Sequence, residues 1–315
     1  MKRRDFFSLS AAAGTVAAIG GTQRLLAADD AASGTTKAVP IPAEPAQLNL
    51  CLQWGTIPGG SATEKLDFLE GNGFSAVELP TGNWLLGKPA KEFQTAMQGR
   101  KLTVATACGP SDFSYADKAR RDKEVEKFLP QLEVLGALKS VGLILCPARG
   151  SVPIGGGNFQ TLRDDFVNNT GKRLAAHAAK HGTNIVLEPL RRQETPYLRL
   201  VADGAAIARD LGPGAKVMGD FWHMNTEETS FLGAFVSGGK WLAHVHIASL
   251  GRRSVPGTEP KVDKYTDGFR GLKLIGYRGA VSFEGGIPKR NASREDVKKF
   301  LLDMAKYIRA QWAEA

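Results

Sequence analysis

The chain has 315 residues, 43% apolar and 23% charged, which is enough for one large globular domain and too apolar for a disordered one. Its formal charge is +9, and without Lys2, Arg3, Arg4, Arg24 and Asp5 it falls to +6, a mild excess that does not by itself imply a polyanionic partner. Beyond those residues no Lys/Arg run exceeds two and no basic stripe is interleaved with aromatics, so no nucleic-acid partner is expected.

Residues 1–28 read as a signal peptide. Lys2-Arg3-Arg4-Asp5-Phe6-Phe7 is a basic start, Leu9 to Gly20 a mild apolar run, and Leu25-Leu26-Ala27-Ala28 a small-residue cleavage region. Arg3-Arg4-x-Phe-Phe is similar to a twin-arginine export signal, which implies a periplasmic or otherwise exported protein. The apolar run is too short and mild to span a bilayer, so no stable membrane insertion is expected after cleavage. Residues 29–46, rich in Ala, Ser, Thr and Pro, read as a flexible linker.

From residue 47 to 315 short β-branched or apolar runs alternate with helical stretches. Strands are predicted at 48–53, 74–79, 102–107, 141–146, 184–188, 215–220, 242–247 and 280–284. Helices are predicted at 62–72 behind the N-cap candidate Ser61, at 89–98 with Pro89 in the first turn, and at 117–135. Others follow at 159–181, ended by Gly182, and at 197–211, 227–236, 263–275 and 293–312. Eight such alternations make a single α/β domain, a (β/α)8 TIM barrel, the simplest fold. Cys51, Cys108 and Cys146 are odd in number and widely spaced, which argues for small buried residues rather than disulfides or a thiolate metal site.

Chemistry gathers at the ends of the later strands. Glu188, Asp220, His246 and Glu284 each close an apolar run, and in a barrel these ends converge at one mouth. Three carboxylates and one imidazole suit one divalent ion, with Mn²⁺ first and Co²⁺, Mg²⁺ or Zn²⁺ as alternatives. His244 shares the strand face of His246 but lies deeper, as a core or supporting group. Glu78, ending the second strand, faces the mouth as a candidate for a substrate hydroxyl. Trp54, just after the first strand, is a candidate substrate wall, with core packing an equal alternative. His177 and His181, spaced i, i+4 before Gly182, suit a metal in principle but read better as a pair favouring the helix C-terminal dipole. Gly155-Gly156-Gly157 lacks a following Lys-Ser/Thr and is not a phosphate motif.

The stretch Asp220-Phe221-Trp222-His223-Met224-Asn225 resembles the Asp-x-x-His-Met-Asn segment of ketohexose 3-epimerases, the D-tagatose and D-psicose 3-epimerase type, within the xylose-isomerase-like superfamily. Glu188, Arg192 and Glu194 are similar to that family's Glu-x-x-Asn-Arg-x-Glu, with Arg191 where the family has Asn. His246 and Arg252, followed by Arg253 and Val255-Pro256-Gly257, are again similar, and the resemblance spans about 47–312. It implies that Glu188, Asp220, His246 and Glu284 hold the metal, that Glu188 and Glu284 double as acid and base, and that His223, Glu194 and Arg252 contact substrate. The implied activity is a metal-dependent isomerase or epimerase working through an enediolate. The substrate is a small sugar or glycoside, expected to be unphosphorylated in an exported protein. The alternative is a 3-keto-glycoside lyase, which shares the proton abstraction and then expels the aglycone. A repair endonuclease of the same fold would need a histidine-rich multi-zinc site, which five histidines supply poorly. The pattern leaves room for a homo-oligomer and does not decide it.

Overall fold

The computed structural model describes residues 44–109, 111, 113, 117–149 and 158–315. The predicted signal peptide, residues 29–43 of the predicted linker and Gly155-Gly156-Gly157 lie outside the described residues. Eight short apolar runs pair side by side as parallel strands: β1 (Asn49–Gln53), β2 (Ala76–Pro80), β3 (Thr103–Cys108), β4 (Gly142–Leu145), β5 (Ile185–Leu187), β6 (Ala215–Asp220), β7 (Leu242–Ile247) and β8 (Ala280–Phe283). β8 bonds back to β1, so the sheet closes as a barrel and has no open edge.

The helices are α1 (Ala62–Gly71), α2 (Asn83–Leu86), α3 (Lys88–Met97), α4 (Lys118–Ala137), α5 (Phe159–Asp165), α6 (Gly171–Lys180), α7 (Val201–Leu211), α8 (Phe221–Glu227), α9 (Phe231–Gly238), α10 (Thr266–Leu274) and α11 (Arg294–Glu314). Side-chain caps start several of them. Ser61 accepts from Glu64 N–H, Asp117 from Arg120 N–H, and Ser293 forms a capping box with Asp296. Among the described residues no helix is long and apolar enough to cross a membrane.

Three helical expectations are corrected. The helix predicted over 159–181 carries a π turn, Phe166–Thr170, between α5 and α6. Gly171 makes room there, because a Cβ would come 2.5 Å from the Phe166 ring. The helix predicted from 197 starts at Val201, because Tyr197 N–H goes to Thr195 Oγ1 at 3.1 Å. Most consequential, α8 begins directly after β6 and precedes α9. Asp220 Oδ1 accepts Trp222 N–H at 2.9 Å and so caps a helix from the strand's last residue.

Side chains alternate along each strand between the helical shell and the barrel interior. Val77, Leu79, Val245 and Ile247 join the shell core. Inside, Cys51, Ala76, Ala105 and Ala280 form one small cluster, and Ile144, Val186 and Met218 another. Two residues beyond members of these clusters come Glu78, Cys146, Glu188, Asp220 and Ser282, joined at that level by His246 of β7. The interior is therefore apolar at its base and polar at the C-terminal mouth. A register shift in β3 opposite Glu78 turns both Ala105 and Thr106 inward, which brings the Thr106 hydroxyl to the Glu78 carboxylate.

Gly212 and Gly214, between α7 and β6, both have positive φ, 80° and 85°. A Cβ at Gly212 meets nothing, whereas one at Gly214 would collide with the Ala175 carbonyl of α6. Gly212→Ala is expected to cost about 1–2 kcal/mol from the left-handed backbone alone, and Gly214→Ala clearly more. Urea unfolding of the two variants measures the difference, and equal losses would contradict so close an approach.

Candidate metal centre

The barrel register sets four side chains at one level. Asp220 pairs with His246 across β6 and β7, and Glu284 N–H bonds the Ile247 carbonyl just past β8. Glu188 follows β5, its N–H bonded to the Leu145 carbonyl. One donor atom from each of Glu188, Asp220, His246 and Glu284 lies within 4.8 Å of the others. His246 Nδ1 is 2.9 Å from Glu284 Oε2 and 3.9 Å from Glu188 Oε1. The first three residues are buried and Glu284 is partly exposed, so the cluster opens to the mouth through Glu284.

Glu78 lies underneath. Its carboxylate accepts from Gln53 Nε2 at 2.7 Å and Thr106 Oγ1 at 2.8 Å, and sits 2.8 and 2.9 Å from Nε2 of His244 and His246. This bond places a proton on His246 Nε2 and turns Nδ1 toward the carboxylates, where it makes no hydrogen bond of adequate geometry. A buried imidazole nitrogen without such a bond, facing three carboxylates, is the donor set a divalent cation requires. The residues fit such an ion.

The electrostatics agree. Burial, then repulsion from Glu284, pushes the Glu188 carboxyl up to about 8. Burial and Glu284 also raise Asp220 to about 6. Burial would raise Glu284 too, but His246 and Arg253 outweigh it and hold the group at about 2. Burial opposes charge on His246, yet Glu78 and Glu284 hold its pKa well above the usual imidazole range. Before a cation binds, protons on His246 and Glu188 thus relieve the crowding of carboxylates, and a bound dication would displace them.

The rim is built by α8 and two loops. His223, in the first turn of α8, is buried, and its Nδ1 accepts Arg191 N–H at 3.3 Å. Burial and then Arg253 lower its pKa to about 3, so the ring stays neutral with its proton on Nε2. That proton faces Asp220 Oδ2 at 3.5 Å and Glu188 Oε1 at 3.9 Å. Glu194 stands at the rim, paired with Arg191 Nε at 2.8 Å.

Three expected roles are corrected by placement. Arg252 points outward, its side chain 82% exposed and 3.4 Å from Glu259. Its neighbour Arg253 takes the mouth position, 2.6 Å from Glu284 and 3.3 Å from Asp220. The cause is a left-handed turn at Arg253, φ 51°, which one-residue spacing does not reveal. Glu78, expected to meet a substrate hydroxyl, is saturated by bonds below the cluster and buried. Trp54 packs against Trp84 and Phe93, at 5.5 and 5.4 Å, which favours the packing alternative. The sequence also gave no sign of Trp222, over whose ring lie Arg191 at 3.8 Å and Arg253 at 4.7 Å. Nor did it mark Cys146, whose thiol donates to Glu188 Oε2 at 3.4 Å.

A carboxyl raised on folding stabilises fully below its unfolded pKa, here 4.5, and loses that contribution as pH rises toward about 8. Metal-free protein should therefore lose thermal stability between about pH 6.5 and 8, above the range where the lowered His223 acts with the opposite sign, and Glu188→Gln should flatten that slope. Glu284, depressed to about 2, acts with the opposite sign and only below pH 4.5. The gain in Tm on adding Mn²⁺ should grow across the same window, because bound protons compete with the ion. A gain independent of pH would contradict the proton count.

The pattern of the family described as xylose isomerase-like TIM barrel matches residues 66–304. A 3-dehydro-D-guloside 4-epimerase of Escherichia coli (strain K12) is 29% identical over 233 residues, 71% of this chain and 87% of that protein. An L-ribulose 3-epimerase of Methylomonas sp. (strain DH-1) is 34% identical over 186 residues, 58% of this chain and 62% of that one. The solved structure of a D-allulose 3-epimerase from Methylomonas sp. in complex with D-allulose aligns with a TM-score of 0.69 at 26% identity, covering 86% of this chain and 100% of that one. Because the family match runs from before β2 to beyond β8, it takes in all four candidate ligands, and the chain belongs to the xylose isomerase-like TIM-barrel family.

Proposed function

We propose that the protein is a divalent-metal-dependent epimerase that inverts a carbon beside the ketone of an unphosphorylated keto-sugar or keto-glycoside. The observation that carries this is the pair Glu188 and Glu284. They come from strand ends β5 and β8 and stand 3.9 and 2.9 Å from the same His246 nitrogen, so two carboxylates from different strands face one point in the mouth. The names of the two relatives support it. A 3-dehydro sugar inverted at carbon 4 and a ketose inverted at carbon 3 both react next to a carbonyl, where the C–H bond is acidified.

Inversion needs a proton removed from one face of that carbon and another returned to the opposite face. Glu284 and Glu188 are the carboxylates placed for this, one as the base and the other, carrying a proton when substrate is bound, as the acid. In the reverse direction the roles exchange. The neutral His223 offers its Nε2 proton to a substrate oxygen, and Arg253, Trp222 and Arg191 line the rim against the remaining hydroxyls. A divalent cation held by Glu188, Asp220, His246 and Glu284 supplies polarisation of the ketone and the neighbouring hydroxyl. The oxygen-rich donor set favours Mn²⁺ over softer ions. Action outside the cytoplasm is part of the proposal and rests on the Arg3-Arg4 segment and the apolar run behind it. Expulsion of an aglycone would use the same base, but the relatives' names weigh toward epimerisation.

Metal-loaded protein incubated with ketoses and 3-keto-glycosides in heavy water should place deuterium at the inverted carbon. Glu188→Gln and Glu284→Gln should each lower turnover by about 10²–10⁴-fold. Free alcohol released without deuterium in the recovered sugar would replace epimerisation with elimination. Arg253→Ala should lower kcat/KM by about tenfold or more, with Arg252→Ala within roughly twofold of the parent; the reverse order would return Arg252 to the site.

A further inference from the structure

α4 and α6 lie side by side in the helical shell, outside the barrel mouth. Their seam begins as ordinary ion pairing, with Arg173 of α6 2.7 Å from both Asp122 and Glu126 of α4. One and two turns further along α6 the guanidinium gives way to imidazoles. His177 Nε2 is 3.1 Å and His181 Nε2 3.9 Å from the same oxygen, Glu133 Oε1 of α4. The two rings lie 4.6 Å apart. We propose that Glu133, His177 and His181 form a second metal site, distinct from the mouth, that binds a borderline transition-metal dication such as Zn²⁺ and clamps α4 to α6.

Several independent observations carry this. One donor atom from each residue lies within 4.8 Å of the others, so the three converge on one point. Around tetrahedral zinc, bonds of about 2.0–2.1 Å put donor atoms about 3.3 Å apart. The observed 3.1 and 3.9 Å bracket that spacing. A hydrogen bond to Glu133 accounts for His177, but His181 Nε2 stands 3.9 Å from the same oxygen, too far for one.

The approach is also set by the main chain. A Cβ at Gly136 of α4, one turn after Glu133, would collide with the His181 carbonyl. The two backbones therefore touch, and the carboxylate does not depend on a flexible reach. His181 caps α6, where the terminal carbonyls carry partial negative charge and favour a cation. Finally, the side chains of His177, His181 and Glu133 are 21%, 29% and 51% exposed, which lets an ion enter and keep water as a fourth ligand. Two imidazoles and one carboxylate prefer Zn²⁺, Cu²⁺ or Ni²⁺, whereas the oxygen-rich mouth suits Mn²⁺ or Mg²⁺. The sequence shows only the histidine pair, because its third partner lies 44 residues away on another helix.

The test uses the full chain without an affinity tag, stripped with chelator and titrated with Zn²⁺. Asp220→Ala removes a ligand from the mouth. That variant should still bind one zinc per chain by elemental analysis and gain thermal stability from it. Adding His177→Gln to it should abolish the gain and weaken zinc binding by about tenfold or more, while adding Arg173→Gln, which disturbs the same seam, should leave the zinc in place. Cu²⁺ in the Asp220→Ala variant should show two-nitrogen coupling by electron paramagnetic resonance, reduced to one by His181→Gln. If Asp220→Ala does not fold, parent protein preloaded with Mn²⁺ should take up one zinc more than preloaded His177→Gln. Equal zinc uptake with and without His177, or no uptake by Asp220→Ala, would overturn the site.

Discussion

Glu78 carries a charge where no water reaches, and that charge persists only because four donors share it. Gln53, Thr106, His244 and His246 all turn toward one carboxylate at the level where the barrel interior changes from apolar to polar. Burial would raise this carboxyl, but His246 and then His244 outweigh burial and hold it ionised. Leaving such a charge unpaired typically costs about 3–5 kcal/mol, so the four donors are locked in place together. His246 inherits its ring orientation from this arrangement. The direction in which the cluster above presents a nitrogen is therefore decided one layer below it.

A closed barrel is well suited to that dependence. Each strand contributes interior side chains two residues apart, so a floor and a rim are stacked on the same strands without any loop having to define either. β7 supplies His244 to the floor and His246 to the cluster, and β2 and β3 meet them with Glu78 and Thr106. Glu188 and Glu284 stand one residue past β5 and β8, whereas Arg253, Trp222, His223 and Arg191 come from the helix and loops that follow the strands. The rigid part of the site is thus the part that would hold an ion, and the loop-borne part is the part that would face a varying substrate.

The period of two made the strands and the four candidate ligands readable in the sequence, because each ligand ends its own apolar run. Depth was not readable. Glu78 also closes such a run, yet sits below the cluster, since how far a strand end protrudes depends on the stagger of its neighbours. Arg252 and Arg253 could not be told apart, because a left-handed turn exchanges inside and outside with no mark in the spacing. α8 was missed because Asp220 serves twice, once in the cluster and once as a helix cap, and the sequence suggested only the former. On the outer shell the histidine pair was visible at i, i+4, but the Glu133 partner and the Gly136 contact belong to tertiary structure alone.

The thiols tell a different story about the environments this fold tolerates. Cys51 and Cys146 are buried and unbonded to other sulfurs. Burial, reinforced by Glu78 beside one and Glu188 beside the other, pushes both thiols well above the ordinary range. Oxidation and disulfide exchange proceed through the thiolate, so suppressing that form makes these sulfurs slow to react. Burial, helped by the negative charge gathered for the mouth, therefore gives these two sulfurs a redox silence that no crosslink has to supply.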